Sequence, residues 1–381
     1  MKTISIKSLV CPHVLTMNAY SSARMEYEGK EGVFLDANEN SLGSVTDELH
    51  NRYPDPLQTD LKIELARYEN LHSHQIFLGN GSDECINVLI QCFCISGKDK
   101  AMVFPPSFSM YEHASHVMNI ELVEVLLLEE TFQLNLGEIL KQIQQDEHEN
   151  VLANEVKQSN VTTDRDCFVP YNDGKVKIIF ICSPNNPTGN LMHERDIEEL
   201  LNAFDGLVVI DEAYQDFAGS RSWTERLDEF QNLVVIKTFS KAWGMADARL
   251  GMLYANPEII HYMNVIKMPY NVSQHTIQLA LEALQKKDKK EAFIRELLLG
   301  RAMLEREMQK IPFVEKIYPS DTNFILFRVP DANDLYKYLL GQKVIVRNRD
   351  KAPLLKGCLR VSVGTKDENE KFMYALKNYK A

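Results

Sequence analysis

VKIIFIC at Val176–Cys182 and GLVVID at Gly206–Asp211 are two apolar runs without clear polar alternation. A strand with one wet face alternates, so unbroken runs of this length suit strands buried on both faces, as in a parallel sheet covered by helices. Working outward, further strand-like segments occur at Gln75–Leu78, Lys100–Phe104, Glu121–Val125 and Leu233–Lys237. Helical patterns fall between several of them, as at Ser82–Phe93 and His193–Phe204. This alternation predicts an α/β fold whose large domain has a mostly parallel sheet sandwiched by helices. The last third changes character: a helical stretch over Thr276–Lys310, strands near Asn323–Val329, Val344–Val346 and Cys358–Val363, then a helix at Asp367–Tyr379. These elements predict a smaller α+β C-terminal domain. A chain of 381 residues exceeds one ordinary core. The expected division is an N-terminal arm over 1–45 packing with the small domain, a large domain over 46–272 and a small domain over 273–381. Gln145–Lys175 is polar, acidic and poorly periodic, and is expected to be a surface loop or insertion.

Composition narrows the function classes. Net charge is −12 with 45% apolar residues, which fits a globular protein and disfavours a nucleic-acid partner. No apolar run reaches the eighteen or so residues of a membrane span. MKTISIKSLVCPHVL has neither the apolar stretch nor the cleavage site of a signal peptide, so a cytoplasmic protein is expected. The seven cysteines, at 11, 85, 92, 94, 167, 182 and 358, are an odd number with no CxxC spacing. Buried thiols are expected, with neither a disulfide framework nor a metal site.

Motifs exclude further chemistries. Gly79-Asn80-Gly81 lacks the third glycine of a dinucleotide fingerprint, because Glu84 stands in its place. There is no GxxxxGK[ST], no GxSxG, and no second histidine four residues after His193. What remains is the ends of the strands, beyond which ligands collect in open α/β sheets. Leu78 leads into Gly-Asn-Gly-Ser-Asp-Glu, Phe104 into Pro-Pro-Ser-Phe, and Cys182 into Ser-Pro-Asn-Asn-Pro-Thr-Gly. Ile210 leads into Asp-Glu-Ala-Tyr and Lys237 into Thr-Phe-Ser-Lys. Asp211 closes an apolar run and so sits at the edge of a dry interior, where an unpaired carboxylate needs a cationic partner. Lys241 leaves a separate strand nearby; from these two residues alone a structural ion pair is the simpler reading. Arg249, in ADARLG, adds a buried-looking cation, and a glycine loop opening a helix adds N–H donors. Together they point to an anionic ligand, phosphate above all.

SPNNPTG at 183–189, DEAY at 211–214 and SKAWGMADARLG at 240–251, in that order, resemble the fold-type I aminotransferases. So do RYPDP at Arg52–Pro56 and GCLRVSVGT at Gly357–Thr365. The whole arrangement, from YSSAR at Tyr20–Arg24 to the final helix, is similar to the histidinol-phosphate aminotransferase family. The resemblance implies a pyridoxal 5'-phosphate enzyme in which Lys241 forms a Schiff base with the cofactor and then moves the proton. It implies that Asp211 pairs with the pyridinium nitrogen, that Asn186 and Tyr214 bond the phenolic oxygen, and that Phe108 stacks on the ring. Ser82, Asp83, Ser240 and Arg249 would hold the cofactor phosphate, with Tyr53 reaching it from the other subunit of a homodimer. For Ser82 and Asp83, plain helix capping is an equally ordinary role. The substrate side would be Arg360, Arg347, Tyr20 and Asn323.

The reaction so implied moves the amino group of L-histidinol phosphate to 2-oxoglutarate, giving imidazole-acetol phosphate and glutamate, in histidine biosynthesis. Arg360 matches the arginine that binds a substrate carboxylate, and histidinol phosphate, which has none, would place its phosphate there. Other readings on the same scaffold are an aminotransferase for aromatic or other amino acids and a decarboxylase of a phosphorylated amino acid. A DNA-binding sensor is a third, disfavoured by acidity and by the lack of a helix-turn-helix pattern. Two departures stand out. Phe108 occupies a position where that family usually has tyrosine, and Asp247 one where it usually has glycine.

Overall fold

The computed structural model describes residues 4–19, 32–146 and 174–380. Tyr20, Cys167 and the greater part of the expected insertion lie outside these residues. Seven strands form the large sheet: β1 Ile76–Asn80, β2 Lys100–Val103, β3 Glu121–Glu124, β4 Val176–Cys182, β5 Leu207–Asp211, β6 Leu233–Thr238 and β7 Leu250–Ala255. Their order is β1-β7-β6-β5-β4-β2-β3. All run the same way except β7, which is antiparallel to both neighbours.

The apolar runs carry two cores at once, because successive side chains leave opposite faces of a strand. Ile179, Ile181, Val208, Ile210 and Val235 join the core on one face. Ile178, Phe180, Val209, Val234 and Ile236 join the core on the other. Helix Gly81–Phe93 covers the second face with Ile86, Leu89, Ile90 and Phe93. The four strands β8 Lys316–Ile317, β9 Phe324–Arg328, β10 Arg347–Asn348 and β11 Cys358–Ser362 form a separate antiparallel sheet in the order β10-β11-β9-β8. Its core is Ile325, Phe327 and Leu359 packed by Leu304, Leu335 and Phe372 from three helices.

The structure departs from the sequence reading in four places. The strand LGMLYA at Leu250–Ala255 was not among the expected ones, yet it fills the gap between β1 and β6. The helical stretch over Thr276–Lys310 is two helices, Gln274–Leu284 and Lys287–Met308. The first packs on Thr59–Glu69, and its Ile277 and Ala280 enter the core of the large sheet. The strand expected at Val344–Val346 falls instead on Arg347–Asn348, where pairing with β11 is available. In the N-terminal arm, Ile6, Leu9, Cys11 and Val14 pack on the large sheet rather than on the small domain, and Cys11 N–H donates to the Cys92 carbonyl at 2.9 Å.

One close approach sets the edge where the strands end. Gly251 of β7 crosses the turn from β1 into its helix so tightly that a Cβ would lie 2.2 Å from the Gly81 carbonyl carbon and 2.3 Å from Ser82 N. Backbone cannot yield as a side chain can, so Gly251→Ala forces β1 and β7 apart. Overpacking of this kind costs about 1–3 kcal/mol or more. The variant is expected to lose that much in urea unfolding; a wild-type unfolding curve would contradict the packing.

Candidate active site

The site is a cavity of about 410 Å³ at the carboxyl ends of the parallel strands, within the ~300–1,000 Å³ of small-molecule sites. Each strand delivers a side chain as it leaves the sheet. Asp211 ends β5 beside Cys182 at the end of β4. Ser240 and Lys241 follow β6, and Ser82 and Asp83 follow β1 at the start of helix Gly81–Phe93. Arg249 arrives because β7 runs backwards: its first residue, Leu250, pairs with Asn80 at the end of β1. Ser82, Asp83, Phe108, Asn186, Asp211, Tyr214, Ser240, Lys241, Arg249, Arg347 and Arg360 all line this cavity.

Asp211 and Lys241 face the same space without forming an ion pair, so the simple structural pair is not what the fold makes. Asp211 is 2% exposed. Its carboxylate accepts from Tyr111 Oη at 2.6 Å and from Ala213 N–H at 3.0 Å. Burial nevertheless holds its pKa above the ordinary carboxylate value. Its chain neighbour Glu212 turns away, accepting from Ser222 and from Trp223 N–H. The Lys241 amine lies 5.5 Å from the Tyr214 ring centre. Burial first, and the Arg360 guanidinium second, lower its pKa, while Asp211 pulls the other way. Asn186 Nδ2 donates to Tyr214 Oη at 3.5 Å, and Asn186 Oδ1 accepts from Arg360. Tyr214 is braced edge-on by Phe324 at 5.2 Å.

The end of the cavity at helix Gly81–Phe93 is built from backbone. Asn80 makes no side-chain cap to helix Gly81–Phe93, which leaves its positive amino end open to the cavity. Gly81, at φ +73°, lets the Arg249 guanidinium lie where a Cβ would meet it at 2.6 Å. Gly81 N–H donates to the Arg249 carbonyl at 2.7 Å, and Arg249 donates to Asp83 at 3.0 Å. Arg249 is 49% exposed, not buried as ADARLG suggested. Asp247 is exposed and leaves Arg249 undisturbed.

Not every expected residue is here. Asn323 lies outside the cavity lining; its carbonyl accepts from Val363 N–H where β9 meets the end of β11. Tyr53 is 52% exposed, stacked on Tyr270 at 4.6 Å and away from the cavity. Two residues were missed. Arg349 lines the cavity with its Nε buried and without a partner. Its signal was legible, two residues after Arg347 and therefore on the same strand face. Tyr111 had no such signal: it is a fully buried aromatic one helical turn after Phe108, stacked on Phe180 at 4.9 Å.

Tyr111 generates a prediction with a definite sign. A carboxyl whose pKa is raised on folding contributes stability that is present below the ordinary carboxylate range and lost as pH rises. The Tyr111 hydroxyl reduces that loss by donating to the ionised form. Tyr111→Phe is therefore expected to cost about 1–3 kcal/mol in urea unfolding of the cofactor-free protein at pH 8. The penalty shrinks as pH falls through the Asp211 pKa; a penalty that stays constant from pH 8 down to the lowest pH at which the protein remains folded would contradict the pairing.

Residues 26–376 match the family described as Aminotransferase class I and II. The histidinol-phosphate aminotransferase of Cytophaga hutchinsonii is 43% identical over 98% of this chain and 99% of its own. Two solved structures share the fold. The histidinol-phosphate aminotransferase from Clostridium acetobutylicum has a TM-score of 0.73 at 23% identity, covering 86% of this chain and 90% of its own. That from Sinorhizobium meliloti, in complex with pyridoxal-5'-phosphate, has a TM-score of 0.73 at 21% identity, covering 90% and 88%. The strand ends, the shared cavity and these relatives agree that the chain belongs to the class I and II aminotransferases, alongside the histidinol-phosphate aminotransferases.

Proposed function

We propose that the protein transfers the amino group of L-histidinol phosphate to 2-oxoglutarate, yielding imidazole-acetol phosphate and glutamate in histidine biosynthesis, with pyridoxal 5'-phosphate as cofactor. The observation that carries this is one cavity containing a buried carboxylate, a lysine amine with a lowered pKa and four arginines. The residues fit the cofactor. Asp211 is a buried carboxylate whose two donors leave burial only partly offset. The helix start at Ser82 and Asp83, with Ser240 and Arg249, suits a phosphate. Phe108 offers an apolar wall. The name shared by relatives at 40–43% identity supports the substrate.

When bound, the cofactor supplies an electron-withdrawing ring that stabilises negative charge on the substrate carbon. Asp211 keeps the ring nitrogen protonated, a role for which its dry position is suited. Lys241 Nζ would anchor the cofactor and would be the group that carries the proton moved in the reaction. Its lowered pKa brings the neutral amine within reach at physiological pH. Asn186 and Tyr214 orient the phenolic oxygen, and Arg360, tied to Asn186, binds the substrate anion beside it. Tyr20, outside the described residues, remains assigned to the substrate side.

The active unit is a homodimer in which Tyr53 reaches the partner's cofactor phosphate. What supports this is the surface around it: Val33, Leu35, Leu42, Val45 and Leu49 are all at least 76% exposed, more apolar surface than a lone subunit usually leaves uncovered. No helix among the described residues is long and apolar enough to cross a membrane, and the assigned location is the cytoplasm.

Mixing the holoenzyme with L-histidinol phosphate is expected to bleach the cofactor's visible absorbance. Bleaching by phenylalanine but not by histidinol phosphate would overturn the substrate. Lys241→Ala is expected to lower kcat by at least about a hundredfold and to shift the visible band; an unchanged spectrum would overturn the role of Lys241.

A further inference from the structure

The arginines are arranged in a way that the reaction alone does not require. Arg347 lies directly opposite Arg360 in the β10–β11 pairing, and like charges directly opposite destabilise a strand pair. Arg349 adds a third guanidinium on the same face, its N–H continuing the ladder to the Cys358 carbonyl at 3.0 Å. Among the described residues, no carboxylate lies within ion-pair distance of any of the three. The obvious one, Asp350, is already taken: it accepts from Gly357 N–H at 2.8 Å and from Asn333 Nδ2 at 2.9 Å. The Nε atoms of Arg349 and Arg360 are buried and have no acceptor. Burial and the two neighbouring guanidiniums push the Arg349 pKa down to about 10, so it stays cationic at neutral pH while bearing the cost of crowding.

Three cations held without a counter-anion form a site for more than one negative charge. The two substrates differ in this respect. A phosphate monoester carries close to two charges and three acceptor oxygens at pH 7, with a second pKa of about 6; a distal carboxylate carries one charge and two oxygens. The exposed Arg347, which lines the cavity, can meet the single charge of the carboxylate. The second phosphate charge calls for another guanidinium, and Arg349, which lines the cavity and whose Nε has no acceptor, can supply it.

We propose that Arg349 is a specificity-determining residue, which binds the dianionic phosphate ester of the amino donor and contributes little to the monoanionic tail of the second substrate. This rests on the aminotransferase reading given above. It separates Arg349 from Arg360, which serves both substrates.

The test uses the holoenzyme and the variants Arg349→Gln and Arg349→Lys, with the visible band of bound cofactor confirming that each folds. At pH 8, Arg349→Gln is expected to raise the KM for histidinol phosphate, and the Ki of inorganic phosphate as competitor, roughly ten- to a hundredfold. The KM for glutamate in the reverse direction changes no more than about threefold. Arg349→Lys, keeping the charge and losing the fork, recovers part of the loss. At pH 5.5, where the ester is mostly a monoanion, the gap between wild type and Arg349→Gln narrows. An Arg349→Gln enzyme with unchanged KM and Ki, an equal loss for both substrates, or a gap independent of pH would overturn this proposal alone. A wild-type holoenzyme that fails to turn over histidinol phosphate would overturn the functional reading, and this proposal with it.

Discussion

Placing a carboxylate in a dry interior costs several kcal/mol unless donors or a cation meet it, and Asp211 is such a carboxylate. Tyr111 and the Ala213 N–H supply two donors, yet its pKa remains raised. Lys241 faces the same cavity across open space and does not neutralise it. In the proposed function the missing compensation is a protonated heterocycle, which would make the buried charge a binding feature that the apo chain tolerates. Such strain at a functional site is common, because a perturbed group is useful only where its partner arrives with the ligand. The amine of Lys241 is perturbed in the opposite sense, toward neutrality. One environment thus favours a proton on the buried acid and disfavours one on the lysine.

Topology explains how residues far apart in the chain reach this point. Parallel strands release their side chains at one edge, and that edge alone would supply Asp211, Lys241 and the loop after Cys182. The reversed strand β7 completes the set by starting where its neighbours end, which brings Arg249 against the amino end of helix Gly81–Phe93. The two glycines at this crossing are needed for different reasons. Gly81 adopts a positive φ and yields room to a guanidinium, whereas Gly251 yields room to backbone. The second sheet contributes the opposite wall, a pair of strands bearing arginines. In the proposed function one sheet would hold the cofactor end and the other the substrate anion.

The sequence disclosed the parts governed by burial and by motif. The runs at β4 and β5 could only be strands buried on both faces, and their exits carried Asn186, Asp211 and Tyr214. It disclosed less where local pattern is ambiguous. LGMLYA follows directly on a glycine-containing phosphate motif and is short, so nothing in it distinguishes a strand from the end of a loop. The break between Gln274–Leu284 and Lys287–Met308 falls in a lysine-rich run without glycine or proline, and only tertiary packing on Thr59–Glu69 reveals it. Arg249 looked buried because Leu250 and Gly251 beside it are, but it stands just ahead of β7 with its side chain half exposed. Tyr111 could not have been found: the hydroxyl absent at Phe108 is present one turn later, aimed at Asp211 by packing between Phe108 and Phe180.

The claim on which the rest stands is that the Lys241 amine and the Asp211 carboxylate face a single flat ring. Reduction of the holoenzyme with borohydride, followed by proteolysis and mass spectrometry, tests it directly, since it makes the lysine–cofactor bond permanent and locates it. The account predicts a phosphopyridoxyl group on the peptide containing Lys241 and on no other. A stable adduct at another lysine, such as Lys237 within β6 itself, would contradict it, as would a cofactor released intact after reduction.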